Sequence, residues 1–555
     1  MFSPRGPRLA VSALVPSRRR VYELARRGRG LVRRNWLFAV IAGIATALRV
    51  IVQLAYQPAL IFPDSERYLQ YAHNFIVGQW IPDWLRTSGY SFLLIPAVLT
   101  HDLAAVAAVQ HLLGLATAVL IYAVLVHFGA RRWLAALATV PVLFDPLELD
   151  IEQYVLTDVV ATFLVVAALV VLVWKRDAIG KVAPVMAGLL LAAATIIREP
   201  DLVVMIPALL YLVVIIRPRR RLATRAALLL VAFLIPVLGY LVWFQVWFGT
   251  FNFITYNSQF VYGRIAQFAD CTGMSLPWYE RHLCPQQPPA ERNPDFYMWA
   301  KQSPQVTLQP TAGLSKGQII SDFDLRIIEH QPLTYLKVVA DDILYSFSPV
   351  RGAGPERYPT AYHQFQTYFP TGKGAGATVR TYTGSGPRVE PALADFLTGY
   401  GRDFYVPGPL LAAGLALGVA GLAGIGRARR SGLRAPCLLV TIAAIAVTES
   451  PFLTATFDWR YELPQLSLIP IAAVLGVTAL AGWRPDQPPA AGTDPLVHAA
   501  DASQLVSNAA RTGPPGRDGQ PPDGVRATGA PAVAHGPPRV ALGSEEGQQG
   551  GSHDR

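Results

Sequence analysis

The apolar residues of this chain arrive in long blocks, and a block of about 20 apolar residues almost free of charge is stable chiefly in the hydrocarbon core of a bilayer. Hydrophobic residues make up 52% of the 555 and charged residues only 15%. Lipid offers no hydrogen bonds to the backbone, so each block must satisfy its own amides as a helix. The expected fold class is therefore an all-α polytopic membrane protein.

Short basic runs separate the blocks: ARRGRGLVRR (25–34), RR (131–132), KRDAIGK (175–181), RPRRRLATR (217–225) and RARRSGLR (427–434). The formal charge of +11 raises the question of nucleic acid, but these runs interleave with no aromatic platform, so no nucleic-acid partner is expected. They read as topology signals. Placing all of them in the cytoplasm requires an even number of crossings between neighbouring runs. The blocks supply that number at 36–56, 105–128, 133–147, 157–174, 182–197, 202–216, 226–248, 405–426, 435–453 and 463–482. The expectation is about ten transmembrane helices with both termini inside. Residues 1–35 form a basic cytoplasmic N-terminus, and no small-residue cleavage site follows the first block, so that block reads as an anchored helix. GYSFLLIPAVLT (89–100) is too short to span and is expected in the interface or leading into the next helix.

This topology puts 57–104, 148–156, 249–404 and 451–462 on the outer face. The transmembrane core, 36–248, carries the first outer loop, 57–104; residues 405–483 hold the C-terminal transmembrane helices. Within 249–404, Ile319, Ile320, Phe323, Ile327 and Ile328 recur at helical spacing. Pro332 suits the first turn of a second amphipathic helix holding Tyr335, Leu336, Val339 and Ile343. Both are expected to pack on the membrane face of the bundle. Residues 351–400, rich in Gly, Pro, Thr and Tyr, read as a loop or lid. The tail, 484–555, is too poor in aromatic and branched residues to bury a core and reads as disordered cytoplasmic chain. Cys271 and Cys284 share the predicted outer side, so a disulfide closing a short loop is expected; Cys437, within a span, reads as packing. With no CxxC pair and no His cluster, neither a zinc site nor a thiol catalyst has support.

The candidate site lies at IFPDSERYLQYAHNFIVGQWIPDWLRTSGY (61–90), where Asp64, Glu66, Arg67, Asp83 and Arg86 crowd a loop between apolar blocks. Asp64, after Pro63, would also make a good helix N-cap, and Glu66 would favour the same first turn. Asp158 heads a span, where an acid complements the helix dipole. Arg198 and Arg460 sit at span ends, where Arg commonly snorkels to headgroups. Glu148, Asp150 and Glu152 alternate with Leu147, Leu149 and Ile151 like a solvated outer loop. His73 reads as a surface residue, and Arg49, inside the first span, as snorkelling or paired within the bundle.

Five short motifs share the predicted outer side: Asp64-Ser-Glu-Arg-Tyr, Arg86-Thr-Ser-Gly-Tyr-Ser, Leu156-Thr-Asp158, Ile197-Arg198-Glu-Pro and Arg460-Tyr461-Glu-Leu-Pro. Their order resembles that of the GT-C class of membrane glycosyltransferases, in the polyprenyl-phosphate-sugar-dependent branch that includes protein O-mannosyltransferases and the lipid A aminoarabinose transferase. The resemblance covers about 36–480. It departs at Asp158, where that family often has Glu, and 249–404 matches nothing assignable beyond its two helices. It implies a multi-pass enzyme of the cell membrane with its site on the extracytoplasmic side. The implied donor is a polyprenyl-phosphate-linked sugar; a glycan, lipid or protein hydroxyl is the acceptor, and membrane lipids surround both. Asp64 is the implied base, and Arg198 and Arg460 the implied phosphate partners. Glu66, Arg86, Asp158 and Tyr461 are further substrate-binding candidates. No cofactor is assigned, and Asp64 and Glu66 leave room for a divalent cation. The competing class is a lipid or solute transporter or flippase; it would show ionisable groups near the bilayer midplane or a repeat of spans, and neither is visible.

Overall fold

The computed structural model describes residues 33–175, 179–311, 313–352, 363–370 and 374–482. The tail from 484 and most of the basic N-terminus lie outside them. The described chain is mostly helical, with one two-residue antiparallel pairing of Tyr56–Gln57 with Arg388–Val389.

Among the described residues five helices are long and apolar enough to cross a membrane: Trp36–Ala55, Leu103–His127, Arg219–Phe248, Arg434–Thr454 and the Trp459–Ala481 segment. A sixth arises if Pro391–Asp403 and Gly408–Ala423, which meet at 56°, form one broken span. The expected ten is thus not reached by length. Asp158–Val173 and Val182–Ile197 are apolar but only 16 residues each, and 133–147 is split into Arg132–Leu137 and Val140–Phe144. Pro141 in the first turn of the second piece explains the split, because proline cannot continue the helix before it. The 202–216 block is likewise divided, into a 3-10 turn over Glu199–Val204 and a helix over Met205–Ile215.

The segments expected outside share a second core with the ends of several bundle helices, Val52, Leu103, Ala107 and Val159 among them. Tyr56–Phe62, Leu147–Leu156, Phe365, Ala394, Leu397 and Phe452–Leu463 contribute its buried side chains. A third cluster joins Tyr262, Ile265, Ile319, Ile320, Phe323 and Ile327, and the Cys271–Cys284 disulfide packs against it. The two amphipathic helices of the long segment are Lys316–His330 and Pro332–Ser346, with Pro332 in the first turn of the second. Leu336, assigned to the buried face, is 57% exposed. Residues 351–400 are not merely a loop: the described part contains the Ala375–Thr383 helix, the Arg388–Val389 strand and the Pro391–Asp403 helix, ordered by pairing with Tyr56–Gln57 and by packing of Ala394 and Leu397. Cys437 is buried in the bundle as a free thiol.

The solvated loop expected at 148–156 is instead the Pro146–Gln153 helix, with every residue buried. The alternation that looked like solvation belongs to a helix buried all round, in which Glu152 alone of the three acids is met by cations. Glu152 Oε1 takes a 2.7 Å bond from Arg49 Nη2, and its Oε2 lies 2.7 Å from His111 Nδ1. Arg49 Nη1 and Nη2 also donate to the carbonyls of Leu143 and Val142, at 2.9 and 3.1 Å. Gly114 makes room for this pair, since a Cβ there would stand 1.7 Å from Glu152 Oε1. Burial pushes the Asp150 carboxyl well above its ordinary range; Glu148 moves the same way through burial and the nearby Glu152 charge. Glu152→Ala leaves Arg49 as an uncompensated charge in the core, and we expect a loss of about 3–5 kcal/mol, seen as a lowered unfolding midpoint in detergent. Glu66→Ala, at a half-buried helix position, serves as the mild comparison.

Candidate functional site

The 57–104 segment folds back on itself to present one acid to two arginines. The Pro63–Ile76 helix begins at proline, and the Ser65 hydroxyl accepts the Phe62 amide at 2.9 Å. Phe62 therefore holds the N-cap position, and Asp64 is not the cap; its carboxylate turns outward from the first turn. The Arg86 loop is fixed by Asp83. That buried carboxylate accepts the Leu85 amide at 2.9 Å and pairs with Arg67, while the Asp83 amide donates to Ser88 Oγ at 2.9 Å. Thr87 Oγ1 donates to the Ile197 carbonyl at 2.8 Å, and a Cβ on Gly89 would stand 2.5 Å from the Ile196 carbonyl oxygen. Only glycine allows the loop to lie so close to the end of the Val182–Ile197 helix.

Asp64 Oδ1 is 2.8 Å from Arg86 Nη2 and its Oδ2 is 3.0 Å from Arg460 Nη1. Burial alone would raise the Asp64 pKa; the two guanidinium charges outweigh it and hold the carboxyl down to about 2. The same contacts raise Arg86 against the opposing effect of burial. Arg460 Nε lies 3.3 Å from Asp458 Oδ2, and Asp458 Oδ1 is 2.8 Å from His363 Nε2. Burial would raise Asp458 too, but His363 and Arg460 lower it. Aromatic faces frame both cations: Arg86 lies over Phe260 and Trp299 at 5.1 and 5.7 Å, and Arg460 over Phe62 and Tyr461 at 5.3 and 5.4 Å.

Asp64, Arg86, Arg460 and Tyr461 line one cavity of about 400 Å³, which Phe260, Asp295, Met298 and Trp299 from the 249–404 segment also line. Arg198 lies behind Tyr461, with its guanidinium 5.7 Å from that ring. It contacts Asp158 Oδ1 at 3.4 Å and Asp201 Oδ1 at 3.0 Å, and is outside the cavity lining. Glu66, two residues beyond Asp64 and so about 200° round the helix, faces Gly374 instead. Among the described residues no three His, Cys, Asp or Glu side chains gather as a metal-binding group. A second cavity of about 230 Å³ lies across the 458–461 turn, against Arg351, His363, Tyr405 and Trp459. Arg351 is already held by Asp145, at 2.8 and 3.0 Å. The sequence reading passed over Asp458, His363, Phe260 and Trp299. Asp458 alone had a local signal, two residues before Arg460.

The sequence model of the dolichyl-phosphate-mannose-protein mannosyltransferase family matches residues 93–252. That segment is thus similar to the GT-C class of membrane glycosyltransferases. It is less than a third of the chain and contains Asp158 and Arg198, whereas Asp64, Arg86 and Arg460 lie on either side of it. No curated protein matches the chain. Among solved structures, the S. cerevisiae protein O-mannosyltransferase Pmt1-Pmt2 complex bound to the sugar donor aligns at 17% identity over 44% of this chain and 37% of that one, with a TM-score of 0.32. A superposition that weak carries no argument, and the aligned region spans well under half of that protein.

The depressed Asp64 pKa fixes a sign for acid stability. An acid with a lowered folded-state pKa contributes stability in full above its unfolded value, about 4, and loses it as pH falls towards 2. Wild type should lose thermal stability over that interval, and Asp64→Asn should lack this portion of the loss. A wild-type midpoint unchanged relative to the variant between pH 5 and 2 would dissolve the ion-pair account.

Proposed function

We propose that the protein moves a sugar from a polyprenyl-phosphate donor to an acceptor hydroxyl at the outer face of the cell membrane. The carrying observation is the Asp64 carboxylate between Arg86 and Arg460 in one cavity, beside a segment that matches a lipid-phosphate-sugar-dependent transferase family. An alcohol attacking an anomeric carbon needs a base in hydrogen-bond reach and a cation at the leaving phosphate. Asp64 Oδ accepts the hydroxyl proton; the hydroxyl oxygen bonds to the anomeric carbon; the carbon–phosphate oxygen bond breaks, and its electron pair leaves on the lipid phosphate. Arg460 and Arg86 receive that phosphate, each able to offer a planar pair of donors. Arg198, held by Asp158 and Asp201, supports Tyr461 from behind and joins the phosphate only if the turn at 458–461 shifts.

A hexose, with mannose the first to try, fits the family description, and protein, glycan and lipid hydroxyls are the acceptor classes to compare. No feature favours the transporter reading. Incubating the purified protein with a panel of polyprenyl-phosphate sugars and measuring release of the lipid phosphate tests the assignment; no release from any donor counts against it. In an active assay Asp64→Asn should lower turnover by about 10² to 10⁴, the usual contribution of a positioned base. Arg460→Ala and Arg86→Ala should each weaken donor use about ten- to a hundredfold, from a charge-assisted contact of about 1.5–3 kcal/mol. Lys should restore only part of that. Near-normal turnover in the Asn variant would end the catalytic assignment.

A further inference from the structure

A base whose two oxygens are both engaged by guanidinium groups is poorly placed to take a proton. In the structure Oδ1 is held by Arg86 and Oδ2 by Arg460. Both cations line the cavity, so they are also the groups an incoming anion would meet first. Besides Asp64, the acids lining the cavity are Asp458 and Asp295. Asp458 meets Arg460 and is itself shared with His363, Asp295 lines the cavity from the 249–404 segment, and Arg86 rests on the faces of Phe260 and Trp299. Tyr68 lies below on the same helix as Asp64, Asp158 lies deeper with Arg198, and Arg67 is taken by Asp83.

We infer that the Arg86–Asp64–Arg460 bridge is a resting-state clamp, opened when a phosphodiester head group enters the cavity and draws the two guanidinium groups from the carboxylate to its own oxygens. The clamp rests on the functional reading given above and adds an order to it: the lipid-phosphate donor binds before the acceptor hydroxyl can be deprotonated. Before the donor arrives, the carboxylate is spent on its cations, which prevents water from being activated at an empty site. Afterwards the cations neutralise the phosphate, and Asp64, still buried but stripped of its partners, becomes a stronger base. The exchange breaks two guanidinium–carboxylate contacts and forms guanidinium–phosphate contacts in their place; no covalent bond changes until the acceptor binds.

Two consequences separate this clamp from a base that merely sits near the donor. Removing the Asp64 charge removes the competitor for the cations, so the variant that is dead in transfer should bind the phosphate more tightly. Binding to wild type should also take up protons in mild acid, because the freed carboxylate titrates higher than the clamped one. The probe is a short-chain prenyl methyl phosphate, a diester with no titratable proton of its own above about pH 2. Calorimetry on the full chain in detergent, at pH 4.5 and in two buffers of different ionisation enthalpy, gives affinity and proton count together. We expect uptake of a sizeable fraction of a proton by wild type, none by Asp64→Asn, and binding by that variant about tenfold tighter, as for the loss of one competing charge contact. No proton uptake by wild type, or an Asn variant that binds no tighter, overturns the clamp; if the Asn variant does not fold, the wild-type proton count decides by itself. Arg86→Ala and Arg460→Ala test the functional reading separately. Weaker probe binding in both keeps the phosphate in this cavity even if the clamp fails, and unchanged binding in both removes it.

Discussion

An anionic carboxylate away from water survives only if cations meet it, and at Asp64 they come from positions 22 and 396 residues distant. The rest of the outer region is arranged to deliver them. Asp83 and Ser88 shape the loop that carries Arg86, Gly89 lets that loop settle on the end of a bundle helix, and Asp458 turns the chain so that Arg460 reaches inward. The aromatic faces under each guanidinium limit its freedom without competing for its hydrogen bonds, and planar stacking of this kind is open to Arg but not to Lys.

The same constraint governs the bundle below. Arg49, inside the first span, would be costly in lipid; it is turned inward onto Glu152 and two carbonyls, and His111 shares the acid. The Pro146–Gln153 helix thereby becomes a polar plug between the bundle and the outer core. Its other acids, Glu148 and Asp150, resolve the problem differently, by the upward shift that favours their neutral forms. Below the site Glu152 is thus paired with Arg49 and His111, while Asp64, Arg86 and Arg460 face the cavity.

What was legible in the sequence was whatever depends on composition along a single segment. The long apolar helices, the Lys316–His330 and Pro332–Ser346 pair with its proline start, and the concentration of acids and arginines at 61–90 all follow from local pattern. The count of ten spans is not confirmed where short helices and a proline interrupt the apolar blocks, as at 133–147. The reading of Glu148, Asp150 and Glu152 failed for a different reason. Alternating acids look solvated unless their partners are known, and Arg49 and His111 lie far away in sequence. Asp64, singled out as an acid between apolar blocks, lines a cavity with two arginines, while the capping alternative is filled by Phe62 and Ser65 instead.

Arg198 and Arg460 show how far a motif can carry and where three-dimensional contact must take over. Both stand at span ends next to polar motifs, and nothing local distinguishes them. The fold does, by way of one ring: Tyr461 lies between them, with Arg460 on its cavity side and Arg198 behind. Arg198 meets two acids there, Asp158 and Asp201, and its charge is absorbed before it can reach a ligand. Arg460 shares Asp64 with Arg86, and Arg67, Asp295 and Asp458 complete the charged lining of the same cavity, so acids and arginines there balance. Two guanidinium groups that share one acid can still divide their donors between that acid and an arriving phosphate, which is how a lining of balanced charge can take an anion.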